Sequence, residues 1–137
     1  MKEIELKGKF VIAFDTICEG NKCHFTEVNG KNIPTLYNSD DEAFREIFDD
    51  NYSMLKSHME DGMLEEYNEG VTPEMILEMD KILDSGDVKA MRKFMDQHPE
   101  CDDSGEFVQP ADEFILGRKA IFGRSGLVIE GKKLGEI

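Results

Sequence analysis

The spacing of apolar residues divides the chain into three textures. Over residues 1–38 the apolar positions suit strands. Ile4, Leu6 and the run at 10–14, rich in β-branched and aromatic residues, predict one long strand or two joined at Gly8. The stretch Cys18-Glu19-Gly20-Asn21 reads as a turn, after which Cys23, Phe25 and Val28 roughly alternate with polar neighbours. Asn29-Gly30 predicts a type I′ hairpin, because both central residues of that turn need φ > 0. Residues 31–36 form the return strand, which Pro34 pushes to an edge position.

At Ser39 the period changes from two to about 3.6. Ser39-Asp40-Asp41-Glu42 is a capping box: the serine oxygen can accept a late backbone N–H while Glu42 reaches back. Phe44, Ile47, Phe48, Tyr52, Leu55 and Met59 then lie on one helical face, and Gly62 breaks or kinks the helix before Met63, Leu64 and Tyr67. Thr72 starts a second helix as N-cap, with Pro73 at its first position and Gly86 as its C-terminal stop. Its buried stripe is Met75, Ile76, Met79, Ile82 and Leu83. Val88, Met91, Phe94 and Met95 mark a third, shorter helix that Pro99 ends.

Residues 100–112 read as a polar loop, and from Glu113 the chain looks extended again, with short apolar runs separated by glycines. The expected architecture over residues 1–137 is a single α+β domain. It places strands and a hairpin at 1–38, a helical acidic region at 39–99, and a loop with C-terminal strands at 100–137. A small antiparallel sheet is shared by the two ends. Edge strands near Pro34 or at the C-terminal end leave a homodimer open.

Charge adds what periodicity cannot. Acids outnumber bases 30 to 16, for a formal −14. That balance excludes direct binding of nucleic acid, which needs a basic face, and docking on anionic lipid. The longest apolar run has five residues, far below the roughly 20 that span a bilayer. No signal peptide is readable, and three cysteines without a framework spacing fit reduced thiols in a cytoplasm.

The excess is local. Residues 1–38 are neutral and residues 107–137 carry +1, so residues 39–106, with 21 acids and six bases, hold −15. On the first helix Glu42, Glu46, Asp49 and Asp50 project opposite the apolar stripe, with few bases within reach to neutralise them. Residues 40–69 hold −9, or roughly one charge per 5 Å of helix, against one per about 1.7 Å in duplex DNA. One helix is therefore a thin imitation of a phosphate backbone. The second, with Glu74, Glu78, Asp80 and Asp84, must lie beside it.

Other chemistry is sparse. Cys18, Cys23 and His24 are the one cluster with metal-ligand residue types close together, but the four-residue gap is wide for a zinc knuckle, and ordinary thiols on a strand suit it better. His98 and Cys101 could complete a set only if the fold brings them near. The loop at 100–111 has Asp102, Ser104 and Gly105 near calcium-loop positions but ends in Ala111 where a bidentate Glu is required. No phosphate-binding glycine loop and no cofactor motif is present.

The segment from Phe10-Val-Ile-Ala-Phe-Asp-Thr-Ile-Cys-Glu to Gly20, a hairpin, and then Tyr37-Asn-Ser-Asp-Asp-Glu-Ala-Phe-Arg-Glu-Ile47 resembles small uncharacterised phage and prophage accessory proteins. Their layout is a strand ending in Thr-Ile-Cys-acidic-Gly, a hairpin, and a helix opening with Ser-x-x-Glu-Ala. The likeness covers about the first 50 residues. This chain departs from the layout in having Asn21 and Lys22 where a Trp often follows the glycine. The resemblance implies a mobile-element accessory protein and transfers no catalytic residue.

Charge and resemblance lead to one expectation: a non-enzymatic protein whose acidic helices occupy a basic surface of a bacterial host or defence protein. The most specific form is an anti-CRISPR or anti-restriction inhibitor of a nucleic-acid-binding nuclease. A metal- or ligand-binding module using Cys18, Cys23 and His24, and a small hydrolase or transferase, are the alternatives.

Overall fold

The computed structural model describes residues 6–17, 20–117, 121–123, 126–128 and 132–134. The protein is α+β, combining α-helices with small antiparallel sheets. It divides into two compact units: Met1–Ala43 with Glu106–Ile137, and Phe44–Gly105.

In the first unit, β1 (Phe10–Thr16) is the centre of a three-stranded antiparallel sheet, between β2 (Gly20–Cys23) and β5 (Phe107–Pro110). Ala13 pairs with Cys23 on one side and with Phe107 on the other. The two ends of the chain thus share a sheet, as expected, but through a strand inside the segment that reads as a polar loop. Val108 is the one strongly apolar β-branched residue there, too little for a period-two signal. Leu6 also departs from expectation: it closes a helical turn, and its carbonyl accepts the N–H of Lys9 at 3.0 Å. Gly8, at φ 76°, supplies the reversal that lets Leu6 fold back into the core. Ile4 lies outside the described residues.

β3 (Phe25–Val28) and β4 (Lys31–Pro34) form the hairpin, with Asn29 at φ 52° and Gly30 at φ 79°, the two positive angles of a type I′ turn. Short pairs β6 (Ile115–Leu116) with β9 (Lys132–Lys133), and β7 (Ile121–Gly123) with β8 (Gly126–Val128), follow β5. The core of this unit gathers Leu6, Val11, Ala13, Cys23, Ala111, Phe114 and Leu134.

The helices are α1 (Asp40–Glu60), α2 (Leu64–Tyr67), α3 (Pro73–Ser85) and α4 (Val88–Gln97), then a 3₁₀ turn at Pro99–Cys101. Each begins or ends for a legible reason. Ser39 Oγ accepts the N–H of Glu42 at 3.1 Å, completing the cap of α1. Gly62, at φ 71°, separates α1 from α2, so the helices of this region number four where three are expected. Thr72 Oγ1 accepts from Met75 N, Gly86 stops α3 in the left-handed region, and Asp87 caps α4 through Ala90 N.

The second unit closes on a core of its own, built around Phe48, Leu55, Ile76, Met79, Met91 and Phe94. Phe48 and Phe94 meet edge to face, 6.0 Å between ring centres. Full burial of each such side chain contributes about 1.5–3 kcal/mol. The methionines at 75, 79, 91 and 95 lie in or against this core, where their flexible thioethers fill gaps. Among the described residues, no helix is long and apolar enough to cross a membrane.

Candidate functional site

The helical unit carries the charge. Residues 44–105 hold 17 acids and six bases, −11 of the total −14. Within it, the stretch from 57 to 80 contains Glu60, Asp61, Glu65, Glu66, Glu69, Glu74, Glu78 and Asp80, and no lysine or arginine. All but Asp80 are exposed. This run extends from the end of α1 through α2 into α3, and it is the longest stretch of the unit without a lysine or arginine.

The expected partner-binding residues fall into three groups. Glu74, Glu78 and Asp84 lie exposed along α3, and Asp49 is half-buried on α1. Asp80 is half-buried on α3, and Glu42 is used internally. Glu42 Oε2 accepts the backbone N–H of Asn38 at 3.3 Å, one residue before the Ser39 N–H that a capping box would use. The Tyr52 hydroxyl has its pKa raised, first by burial and then by the Asp80 carboxylate. Glu46 and Asp50 are each engaged by another group of the molecule. Phe48 and Leu55 of α1 share one core with Ile76 and Met79 of α3, so the two acidic helices belong to one packed unit. The weight of its charge falls further along the chain than the Glu42–Asp50 stripe.

Two of the unit's six bases sit over rings of α1. The Arg92 guanidinium is 4.4 Å from the Phe44 ring centre, and the Lys56 ammonium is 5.8 Å from that of Tyr52.

The same unit holds a polar network that periodicity does not single out. Asn51, fully buried on α1, accepts the N–H of Asp103 at 2.8 Å and of Ser104 at 2.9 Å, and donates to Ile47 O at 3.1 Å. Asn68, beyond the end of α2, donates to Asp103 Oδ1 at 2.7 Å, and its Oδ1 lies 2.6 Å from His58 Nδ1. The network ties α1, the α2 end and the 102–104 loop together. Its one signal in the sequence is a polar residue, Asn51, on the stripe of Phe44, Phe48 and Leu55.

The alternative site does not assemble from its described members. Cys18 lies outside the described residues. Cys23 faces the core of the first unit, where burial pushes its thiol up to about 11. His24, next along the chain, turns the other way, edge-on to Phe14 at 6.0 Å and paired with Glu106. A protonated, buried thiol and an imidazole on opposite faces do not share a metal ion. Cys101 is likewise buried, with its thiol raised to about 11 by burial and by Glu100. His98 lies tilted against Phe94, ring centres 4.6 Å apart, with Glu100 Oε1 3.3 Å from its Nδ1. In the loop that superficially suits calcium, Asp102 accepts the N–H of Gly105 at 3.2 Å and Asp103 serves Asn68.

Compared with known proteins, the chain matches no family model, no curated protein and no solved structure.

Proposed function

We propose that the chain is a non-enzymatic interaction protein, of the phage accessory kind its first 50 residues resemble, whose acidic helical unit docks on a basic surface of a bacterial protein. The observation that carries this reading is the run of eight carboxylates without a base between residues 57 and 80, displayed on a unit of net −11. Like charges held this close repel one another, and a cationic partner relieves that repulsion on contact. Lysines and arginines that hold phosphates are one such partner. In its specific form, the protein occupies the nucleic-acid groove of a defence nuclease of CRISPR or restriction type in the host cytoplasm, as a partial mimic of a phosphate backbone. Electrostatic complementarity of this kind sets association rate and specificity, and it weakens as salt rises.

The test is capture of proteins from bacterial lysate on the immobilised chain at about 0.05 M and about 0.5 M salt, where the Debye length falls from about 14 to about 4 Å. A basic nucleic-acid-binding protein retained at low salt and released at high salt is expected. A variant with Glu65, Glu66, Glu69, Glu74 and Glu78 changed to lysine should lose it while keeping its helical circular dichroism. Retention of the same protein by that variant removes the proposal.

A further inference from the structure

We infer that the β3–β4 hairpin is a self-association element, through which a second copy of this chain pairs along the outer edge of β3.

The hairpin buries no face: every residue of β3 is exposed, and of β4 only Pro34 is partly covered. Phe25, Val28 and Ile33 are 39%, 45% and 38% exposed. A two-stranded ribbon of this kind is marginal in water, and a third and fourth strand are what make such a sheet stable.

The backbone selects which edge is used. Val28 and Lys31 close the turn, Thr26 pairs with Ile33, and Thr35 N–H donates to His24 O at 2.9 Å. In this alternation the N–H and C=O groups of Phe25 and Glu27 point away from β4. Neither residue has a hydrogen bond on that side among the described residues. The opposite edge, along β4, is blunted by Pro34, which has no N–H to offer.

Charge identifies the occupant. In a chain of −14, residues 24–35 carry only Glu27 and Lys31 as formal charges and are neutral. This ribbon is therefore a place of no net charge where two strongly anionic copies can meet without massing carboxylates face to face. The same argument fixes the register. Pairing Glu27 with its own copy would set like charges opposite each other, which is unfavourable. Centring the two-fold on Thr26 instead places Phe25 opposite the partner's Glu27 and Thr26 opposite the partner's Thr26. The result is a four-stranded antiparallel sheet with Val28 and Ile33 of both copies on one face.

Sedimentation equilibrium of the full chain tests this. A dimer mass is expected, and association should strengthen as salt rises, because screening removes the repulsion between two −14 bodies. That sign is opposite to the one expected for capture of a basic partner, so the two readings fail separately. Glu27→Pro removes the outward N–H without touching the ladder inside the hairpin, and should weaken dimerisation roughly tenfold or more, with one donor lost per copy. Thr26→Lys should dissociate the dimer by placing like charges across the two-fold. Mixing it with Thr26→Glu should restore a heterodimer, which keeps the test valid if either variant is less stable alone. A monomer at every salt concentration overturns the inference. So does a dimer indifferent to Glu27→Pro and to both Thr26 variants, or a monomer whose β3 edge captures an extended segment of another protein.

Discussion

Asn51 Oδ1 accepts the backbone N–H of Asp103 at 2.8 Å, joining the middle of α1 to a loop 52 residues further along the chain. The same oxygen takes the N–H of Ser104, and the amide nitrogen returns a bond to Ile47 O. Asn51→Ala removes all three and leaves two loop N–H groups without their acceptor. The expected cost is about 2–4 kcal/mol, read from urea unfolding followed by circular dichroism. Asn51→Asp keeps the acceptor but buries a charge and sets an oxygen against Ile47 O, so it too should destabilise, and by less as pH falls and the carboxylate protonates. A loss below about 0.5 kcal/mol in the alanine variant would show that the loop finds water as a full substitute.

His58 has its tautomer set by a group it does not touch. The Asp103 carboxylate only accepts, so Asn68 turns its NH₂ group toward it and its carbonyl toward His58, and Nδ1 of neutral His58 must donate. Nitrogen-15 NMR at neutral-to-alkaline pH should therefore show the proton of neutral His58 on Nδ1. In Asp103→Asn the constraint disappears, because the new amide can donate as well as accept, and the resonances should move toward the mixture of an unconstrained ring. A proton on Nε2 in the unmodified protein contradicts this order of donors.

Much of the architecture is legible because its signals are local. Ser39 with Glu42, Thr72 with Pro73, Gly86, and Asn29-Gly30 each impose their turn or cap through atoms within four residues, and each does so in the structure. β5 and Leu6 escape a reading of the sequence for the complementary reason. β5 is a strand because β1 offers it an edge, not because its four residues prefer extension, and Leu6 leaves the extended pattern because Gly8 reverses the chain behind it. The acidic region is legible as a sum, but its division is not. Helical geometry alone does not reveal that Glu42 serves Asn38 N–H or that Asp49 and Asp80 are half-buried.

Burial makes the thiols of Cys23 and Cys101 inert at neutral pH. Both are raised from 9.0 to about 11, chiefly by desolvation, so below pH 9 their thiolate fraction is roughly 100-fold lower than that of an ordinary cysteine. In a Cys18→Ser background, reaction with a disulfide reagent at pH 8 should be slower by at least that factor than in the unfolded chain. The sign for stability follows: a folded pKa above the unfolded value contributes stability that is complete below about pH 9 and is lost as pH rises through 11. Tyr52, raised by burial and by Asp80, acts in the same direction. The urea midpoint should fall between pH 9 and 11, and a flat profile there would mean both thiols are accessible.

Gly86 ends α3 at φ 68°, and a methyl group built on it would meet no atom within 4 Å. The cost of Gly86→Ala is therefore conformational, about 1 kcal/mol. Gly86→Asn should cost less, since asparagine tolerates the left-handed region. Equal losses for the two variants would point to a clash that the geometry does not contain.

The helical unit, at −11, works against its own charge. Between Lys56 and Lys81 no base separates eight acids, and each addition of salt shortens the range over which they repel. The melting temperature should therefore rise from about 0.01 M to about 0.2 M sodium chloride, as the Debye length falls from about 30 to about 7 Å. Replacing Glu65, Glu66 and Glu69 by glutamine should raise it at low salt and flatten the dependence, because that variant removes charge without removing helix formers. A basic polypeptide such as polylysine should do at low salt what sodium chloride does at high salt, and the glutamine variant should respond to it less. If salt instead lowers the melting temperature of the unmodified protein, its carboxylates are held by attractive pairs, and no surplus field remains to draw a cationic partner.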